Sequence, residues 1–339
     1  MKTLTVCSYY GTGSSAVTDF IGEFSSVKSL TNYEFRFAHD PDGLSELEYN
    51  LVSNFNRHNS GHALKRYKAI VDYYSNHFMA PRYEAFFKGK WKEYSYEYIN
   101  ALTDFSYPGI WQFDFYDKGQ WWEFWHKLPN RILHHLHMGD SETEKGLCGK
   151  EITYASNPGE EKFLNLTRQY TDKLLDFAND EKKPFLMVDQ ILPSTNIEHH
   201  MRYFSDIKAF VVDRDPRDLY ILSRYIYKTK VAPHDPELFC KWYEYARSTR
   251  KAENWNPEKI CFIQFEDLIY KYDETTKKIM DFAGLDEKDH VNPKTIFKPE
   301  VSIKNTRLWK KFPEYEEEAR LVAKLLPEYL YRMEDDKDW

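Results

Sequence analysis

A chain of 339 residues with a formal net charge of −7 can bury a large core, and its acidic balance excludes a general affinity for nucleic acid. No Gly/Ser- or Pro-rich linker, repeat or low-complexity stretch divides it, so a single domain over residues 1–339 is expected. The start runs straight into an apolar strand and no twenty-residue apolar run follows, so neither a signal core nor an integral membrane segment is expected, and the cytoplasm is the expected location.

Residues 4–18 read Leu-Thr-Val-Cys-Ser-Tyr-Tyr-Gly-Thr-Gly-Ser-Ser-Ala-Val-Thr, a short strand, a glycine loop and a helix start. Gly11 and Gly13, with Thr12 between them, let the backbone take positive φ and approach a ligand closely. Ser14 or Ser15 is placed to cap the helix that continues through Ala16, whose first N–H groups attract an anion. The stretch reads either as a phosphate cradle or as a plain strand–turn–helix connection. A GxxxxGK[ST] loop would put lysine where Gly13 stands, which weakens a Mg-ATP kinase or GTPase reading.

A second extended segment follows at Val27-Lys28-Ser29-Leu30 and Asn32-Tyr33-Glu34-Phe35-Arg36-Phe37. Alternation sets Glu34 and Arg36 on one face and Tyr33, Phe35 and Phe37 on the other. The two charges read as functional or as a surface pair.

Residues 38–150 are dense in aromatics and are expected to form a helical insertion. Helical spacing runs from Leu64 to Tyr74, and Gly119-Gln120-Trp121-Trp122-Glu123-Phe124-Trp125-His126-Lys127-Leu128 is too aromatic for full exposure. Most of these rings are expected to pack helices onto a sheet, while Asn56, Arg57, His58, Asn59 and His62 are polar enough to line a sugar cleft. His134, His135 and His137, and later His199 and His200, lack a cysteine or glutamate at zinc spacing, so no metal is expected. His134 or His137 is a reserve candidate for a general base, since imidazole acts near neutral pH with little perturbation.

Helices are expected from Glu160 to Asn179 and from Glu314 to Tyr331. Between them, Ile207-Lys208-Ala209-Phe210-Val211-Val212 is a buried strand ending on Asp213-Arg214-Asp215-Pro216-Arg217-Asp218. Pro216 suits a first helical turn, Asp215 can cap it, and Arg214 then sits at the carboxyl edge of a sheet, where its planar fork suits phosphate. The alternative is that Arg214 and Arg217 pair with Asp213, Asp215 and Asp218 on a solvated face. Cys7, Cys148, Cys240 and Cys261 lack paired spacing and read as reduced packing residues.

The loop and the Arg214 segment together resemble the sulfotransferases of bacterial, P-loop-like type that use 3′-phosphoadenosine 5′-phosphosulfate (PAPS). Lys259-Ile260-Cys261-Phe262-Ile263-Gln264-Phe265-Glu266-Asp267-Leu268 is similar to that family's strand ending in Tyr-Glu-Asp-Leu, and Ile279-Met280-Asp281-Phe282-Ala283-Gly284-Leu285 to its Phe-Leu-Gly-Leu helix end. Ser302-Ile303-Lys304-Asn305-Thr306-Arg307-Leu308-Trp309-Lys310-Lys311-Phe312 is similar to its basic closing segment.

The resemblance covers residues 1–36 and 184–312 and implies an α/β three-layer sandwich with a central parallel sheet related to nucleotide kinases. It implies PAPS as sulfuryl donor, held by Gly11, Thr12, Gly13, Ser14, Ser15 and Ala16 on the 5′ side and by Arg214, Ser223, Phe265, Lys304, Asn305 and Arg307 in the 3′-phosphate half at 184–312. Glycan-directed members take a glutamate after the second strand, which points to Glu34 as base and Arg36 as its orienting partner, and hence to a glycan acceptor. A sterol or other small hydroxylated lipid is the alternative acceptor, with 38–150 forming the acceptor side.

Departures are plain in the residues. No lysine stands at Gly11 or Thr12, none at Asp189 or Gln190, and Ser223 comes one residue later than the commonest spacing. Arg36, Lys65, Arg66 and Lys304 are candidate replacement cations. A nucleotide kinase-like enzyme and a non-catalytic nucleotide- or glycan-binding protein remain the readings from other classes.

Overall fold

The computed structural model describes residues 1–77, 80–136 and 151–333. In chain order the strands are β1 (Lys2–Ser8), β2 (Val27–Glu34), β3 (Asn76–His77), β4 (Ala80–Pro81), β5 (Phe105–Pro108), β6 (Ile152–Ala155), β7 (Phe185–Asp189), β8 (Ile207–Asp213) and β9 (Ile260–Gln264). Five of them form a parallel sheet in the order β2-β7-β1-β8-β9, while β3 with β4 and β5 with β6 make short antiparallel pairs. The chain divides into two compact units, Met1–His39 with Thr171–Trp339, and Asp40–Tyr170.

The first unit is a mixed α/β structure built on the parallel sheet. Its central strands are short, largely apolar runs buried through their middles, as strands covered on both faces require. Leu4, Val6, Met187, Phe210, Val212 and Ile263 pack against Val17, Phe20 and Ile21 of the helix Ser15–Ile21 and Ile279 and Ala283 of the helix Tyr272–Ala283. Gly284 ends that second helix at φ 79°, a left-handed cap that glycine takes without a Cβ penalty. A second apolar cluster joins Leu219, Tyr220, Phe239, Tyr243, Trp309 and Val322 from the helices that follow β8 and close the chain.

Parallel strands end on one edge, so the ends of β1, β2, β7, β8 and β9 gather there as Ser8, Glu34, Asp189, Asp213 and Gln264. The chain leaves β1 toward β2 on one side and reaches β8 on the other. The connection after β1 therefore opens at the point where the winding reverses, which is where open α/β sheets hold ligands.

In the second unit Asn56 caps the helix Arg57–Ser75, its side chain accepting from the His58 and Asn59 amides. That helix buries Leu64, Tyr67 and Val71, and the Trp91 indole donates to the Val71 carbonyl at 2.9 Å. The aromatic run lies in the helix Gln112–His135, kinked at Gly119 (φ 82°), but its rings are not core residues: Trp121 is 78% exposed, and Phe124 and Trp125 are exposed too. They pack on their own helix instead, Trp121 against Phe124 and Trp122 stacked on His126 at 4.6 Å. Helical spacing of three and four brings those rings together without a second layer.

The expected helix at 160–179 spans Gly159–Ala178. The closing one is broken into a turn at Pro313–Tyr315, a helix Glu316–Leu325 and a turn at Pro327–Tyr329, because Pro327 has no N–H to continue the ladder. No helix among the described residues is long and apolar enough to cross a membrane.

Candidate functional site

The loop after β1 carries two left-handed glycines, Gly11 at φ 71° and Gly13 at φ 86°. A Cβ on Gly11 would lie 2.5 Å from Leu219 Cδ1, and one on Gly13 would lie 2.5 Å from Cδ2 of Phe265. The loop thus presses directly on the first residue after β9 and on the helix after β8. Thr12 is buried with its hydroxyl donating to the Tyr9 carbonyl at 3.0 Å, so its side chain fixes the turn from inside. Ser14 holds the N-cap position without a side-chain capping bond. The amides of Ala16 and Val17 are bonded to the Gly13 and Ser14 carbonyls, both at 3.0 Å.

Across β8 the five charges of the Asp213–Asp218 segment sort by partner, and the segment is buried from Arg214 onward. Arg217 forms a fork onto Asp215, with Nε to Oδ1 at 3.0 Å and Nη2 to Oδ2 at 2.7 Å, beneath Trp309 at 3.6 Å. Asp213 takes Arg247 at 3.2 Å and also Arg250. Asp215 caps the helix Pro216–Ile221 through the Arg217 amide, as its place before Pro216 predicts. Asp218 accepts the Arg307 and Leu308 amides at 2.8 and 2.6 Å and pins the basic segment to that helix.

Arg214 is the exception. It is 2% exposed and donates to two carbonyls, Gly11 at 3.2 Å and Asn305, while its guanidinium lies 4.8 Å over the Phe265 ring. Its Nε is buried without a hydrogen-bond partner. The solvated-face alternative therefore fails for both arginines: Arg217 is paired inside the protein, and Arg214 is anchored by neutral oxygens with its charge uncompensated by a directly bonded carboxylate.

These pieces border a cleft of about 400 Å³ lined by Gly11, Gly13, Ser14, Ser15, Ala16 and Asp19 on one side. Arg214, Tyr227, Phe265, Phe297, Lys298 and Asn305 line the other. The wall at Ile296–Lys298 is held by Glu23, 1% exposed, whose carboxylate accepts the Ile296 and Phe297 amides at 2.9 Å, Lys294 N at 3.1 Å and the His290 ring at 2.7 Å. A buried carboxylate satisfied by three amides makes a rigid loop anchor.

Other expected site residues lie apart from this wall. Ser223 is buried with its hydroxyl unpartnered, in a π-helical turn at Leu222–Tyr227. Such a turn holds one residue more than an α-helical turn. Lys304 is exposed in the turn Ile303–Asn305, and Arg307 is half-buried at φ 52°. Glu34 ends β2, exposed and 3.4 Å from Arg36, with Phe35 and Phe37 buried as alternation requires.

Of the candidate replacement cations, Lys65 is bound to Asp114 at 2.7 Å and Arg66 to Asp42 at 2.6 Å, both within the Asp40–Tyr170 unit. His134 is exposed in the helix Gln112–His135 of that unit; His137 and Cys148 lie outside the described residues. Cys7, Cys240 and Cys261 are free and buried. His199 is engaged by Tyr203 and Arg202, and His200 by the Asn196 carbonyl.

Sequence reasoning gave no role to three residues. Lys298 lines the cleft; its only sequence signal is a cation before Pro299, at the head of the short helix Pro299–Ser302 that leads into the basic segment. Asp19 lines the cleft on the helix Ser15–Ile21, its carboxyl raised by burial and by Glu23 against a bond from Asn32 at 3.1 Å. Asp189, at the end of β7, is raised to about 7, by burial first and by the Glu34 charge second.

No protein-family model matches the chain, and no curated protein does. Among solved structures it is similar to the sulfotransferase STF1 from Mycobacterium tuberculosis H37Rv, with a TM-score of 0.33 and 11% identity, over 90% of this chain and 76% of that one.

Proposed function

We propose that this protein transfers the sulfuryl group of PAPS to a hydroxyl of a glycan. The observation that carries the reading is Arg214: a buried guanidinium with an unpartnered Nε, placed by the loop carbonyl of Gly11 on the wall of a nucleotide-sized cleft. Burying an arginine with a donor left over costs stability unless an anion completes it, so the site fits a phosphate.

The cleft offers two places for anionic groups. Arg214, with Asn305 and Phe265 beside it, suits the 3′-phosphate. The loop Gly11–Ala16, with the Ser14 and Ser15 hydroxyls, suits the 5′ side, and Lys298 in the lining of the same cleft is our candidate to replace the absent loop lysine. PAPS, when bound, supplies a sulfuryl group on a phosphate leaving group, and charge accumulates on that phosphate during transfer. Preorganised donors in the loop stabilise that charge, each by roughly 3 kcal/mol in comparable sites. Glu34 is exposed at the same sheet edge and takes the acceptor proton, with Arg36 orienting it. The carboxylate base is what favours a glycan over a sterol.

Calorimetric titration with adenosine 3′,5′-bisphosphate, Mg-ATP and AMP tests the assignment. Selective tight binding of the bisphosphate is expected. Preference for ATP would move the protein to the kinase-like class, and absence of binding to all three would end the nucleotide reading.

A further inference from the structure

Asp189 has the setting of a working carboxyl. It ends β7 beside the central strand, its Cα in register with Val6 of β1 and Glu34 of β2, and it is 3% exposed. Its Oδ1 has no hydrogen-bond partner. A carboxylate so deeply placed ordinarily collects N–H donors or a cation. The charges acting on this one are of the opposite kind, Glu34 from β2 and Asp19 from the helix Ser15–Ile21, against a favourable bond from the Gln190 amide, and the Cys7 thiol adjoins it on β1. Asp19 lines the cleft, and Arg36 lies 3.4 Å from Glu34.

We propose that Asp189 and Glu34 act as one acid–base unit: the fully ionised pair takes the proton of the attacking hydroxyl, with Glu34 meeting the acceptor and Asp189 setting how firmly that proton is held. This rests on the sulfuryl-transfer reading. In the transfer the acceptor O–H bond breaks and its electron pair forms the new O–S bond. The old S–O bond breaks with its pair passing to the phosphate, and the proton goes to the carboxyl pair.

A lone exposed glutamate is a weak base for this step at neutral pH. Two interacting carboxyls bind their first proton together, with an apparent affinity belonging to the pair. Burial and the Glu34 charge lift the Asp189 carboxyl to about 7, so the partner of the base gains and loses its own proton near neutrality. Asp189 is a positioning residue in this scheme, and Glu34 the catalytic one.

The test uses the full chain and three readouts. The kcat/KM of the unmodified protein should rise with pH through about 7 and level off above it. In Asp189→Asn that rise should move at least one unit toward acid and the plateau should fall about tenfold, with affinity for adenosine 3′,5′-bisphosphate unchanged. Infrared difference spectra between pH 5.5 and 8.5 should show a protonated carboxyl band that Asp189→Asn abolishes. Glu34→Gln, an exposed change that spares the fold, should shift that band's titration toward acid.

A pH limb that stays put in Asp189→Asn, or a band indifferent to Glu34→Gln, overturns the pair. Failure of the unmodified protein to bind the bisphosphate is a separate result: it removes the sulfuryl-transfer reading and this role with it.

Discussion

At the scale of single residues, Arg214 shows how one side chain among several like it becomes functional. Arg217, Arg247 and Arg250 stand within the same charged neighbourhood, and each is bonded to a carboxylate. Arg214 makes its hydrogen bonds to carbonyl oxygens, which orient the guanidinium, with Asp218 and Glu266 acting on it through their charge. Charge-assisted bonds to an anion from such a position are strong, since the desolvation is already incurred on folding. Arg214→Ala should weaken adenosine 3′,5′-bisphosphate binding by about 2 kcal/mol or more, roughly thirtyfold. AMP, which lacks the 3′-phosphate, should lose far less. Equal losses for the two nucleotides would show that Arg214 supports the loop and does not read the phosphate.

At the scale of elements, the loop between β1 and its helix is rigid by contact. Gly13 combines φ 86° with a ring face where a Cβ would go, and that ring, Phe265, also supports Arg214. Gly13→Ala should therefore cost about 2–3 kcal/mol from strain and overpacking together and should lower bisphosphate affinity. Gly89→Ala separates the two causes, because Gly89 has nearly the same φ, 81°, and nothing within 4 Å of its missing Cβ. Its cost should be about 1 kcal/mol; matching losses in thermal melts would assign the Gly13 effect to backbone strain alone.

Such local features are what the sequence displays. A strand closed by glycines, and a strand closed by Asp-Arg-Asp-Pro, announce a turn and a capped helix from adjacent residues, and Asp215 caps where its order predicts. Asp189 and Lys298 were hidden for one reason. The burial of Asp189 depends on pairing with β2, far earlier in the chain, and Lys298 reaches the cleft because Glu23 ties down the wall beside it. Neither partner is visible from neighbouring residues. The sorting of arginines among Asp213, Asp215 and Asp218 was equally open, since spacing permits several pairings and only burial selects among them.

At the scale of the molecule, the carboxyls buried for the cleft leave a mark on stability. Glu266 is raised to about 7 by burial and by the Asp215 charge, partly offset by the Asp215 amide and Arg214; Asp189 is raised to about 7; Asp218 is raised as well, by burial first. A carboxyl whose folded pKa exceeds its unfolded value binds more protons in the folded state. For Glu266 and Asp189 it therefore removes stability as pH climbs from about 4 to about 7, and Asp218 acts in the same direction from about 4 upward. Glu181, Asp286 and Glu328 shift the opposite way but are surface groups paired in solvent, whose contribution is small. The raised carboxyls all belong to the unit Met1–His39 with Thr171–Trp339. In Asp40–Tyr170 the upward shifts fall on tyrosines such as Tyr98 and Tyr170 and on basic groups such as Arg66, which titrate well above neutrality. Scanning calorimetry should thus find the parallel-sheet unit melting several degrees lower at pH 8 than at pH 5.5, a loss of about 3 kcal/mol. Any separate transition of the other unit should stay nearly fixed. Asp189→Asn should flatten part of the dependence by removing one of the titrating groups. A sheet unit that melts at the same temperature, or higher, at pH 8 would mean that these carboxyls reach solvent or a cation in the folded protein.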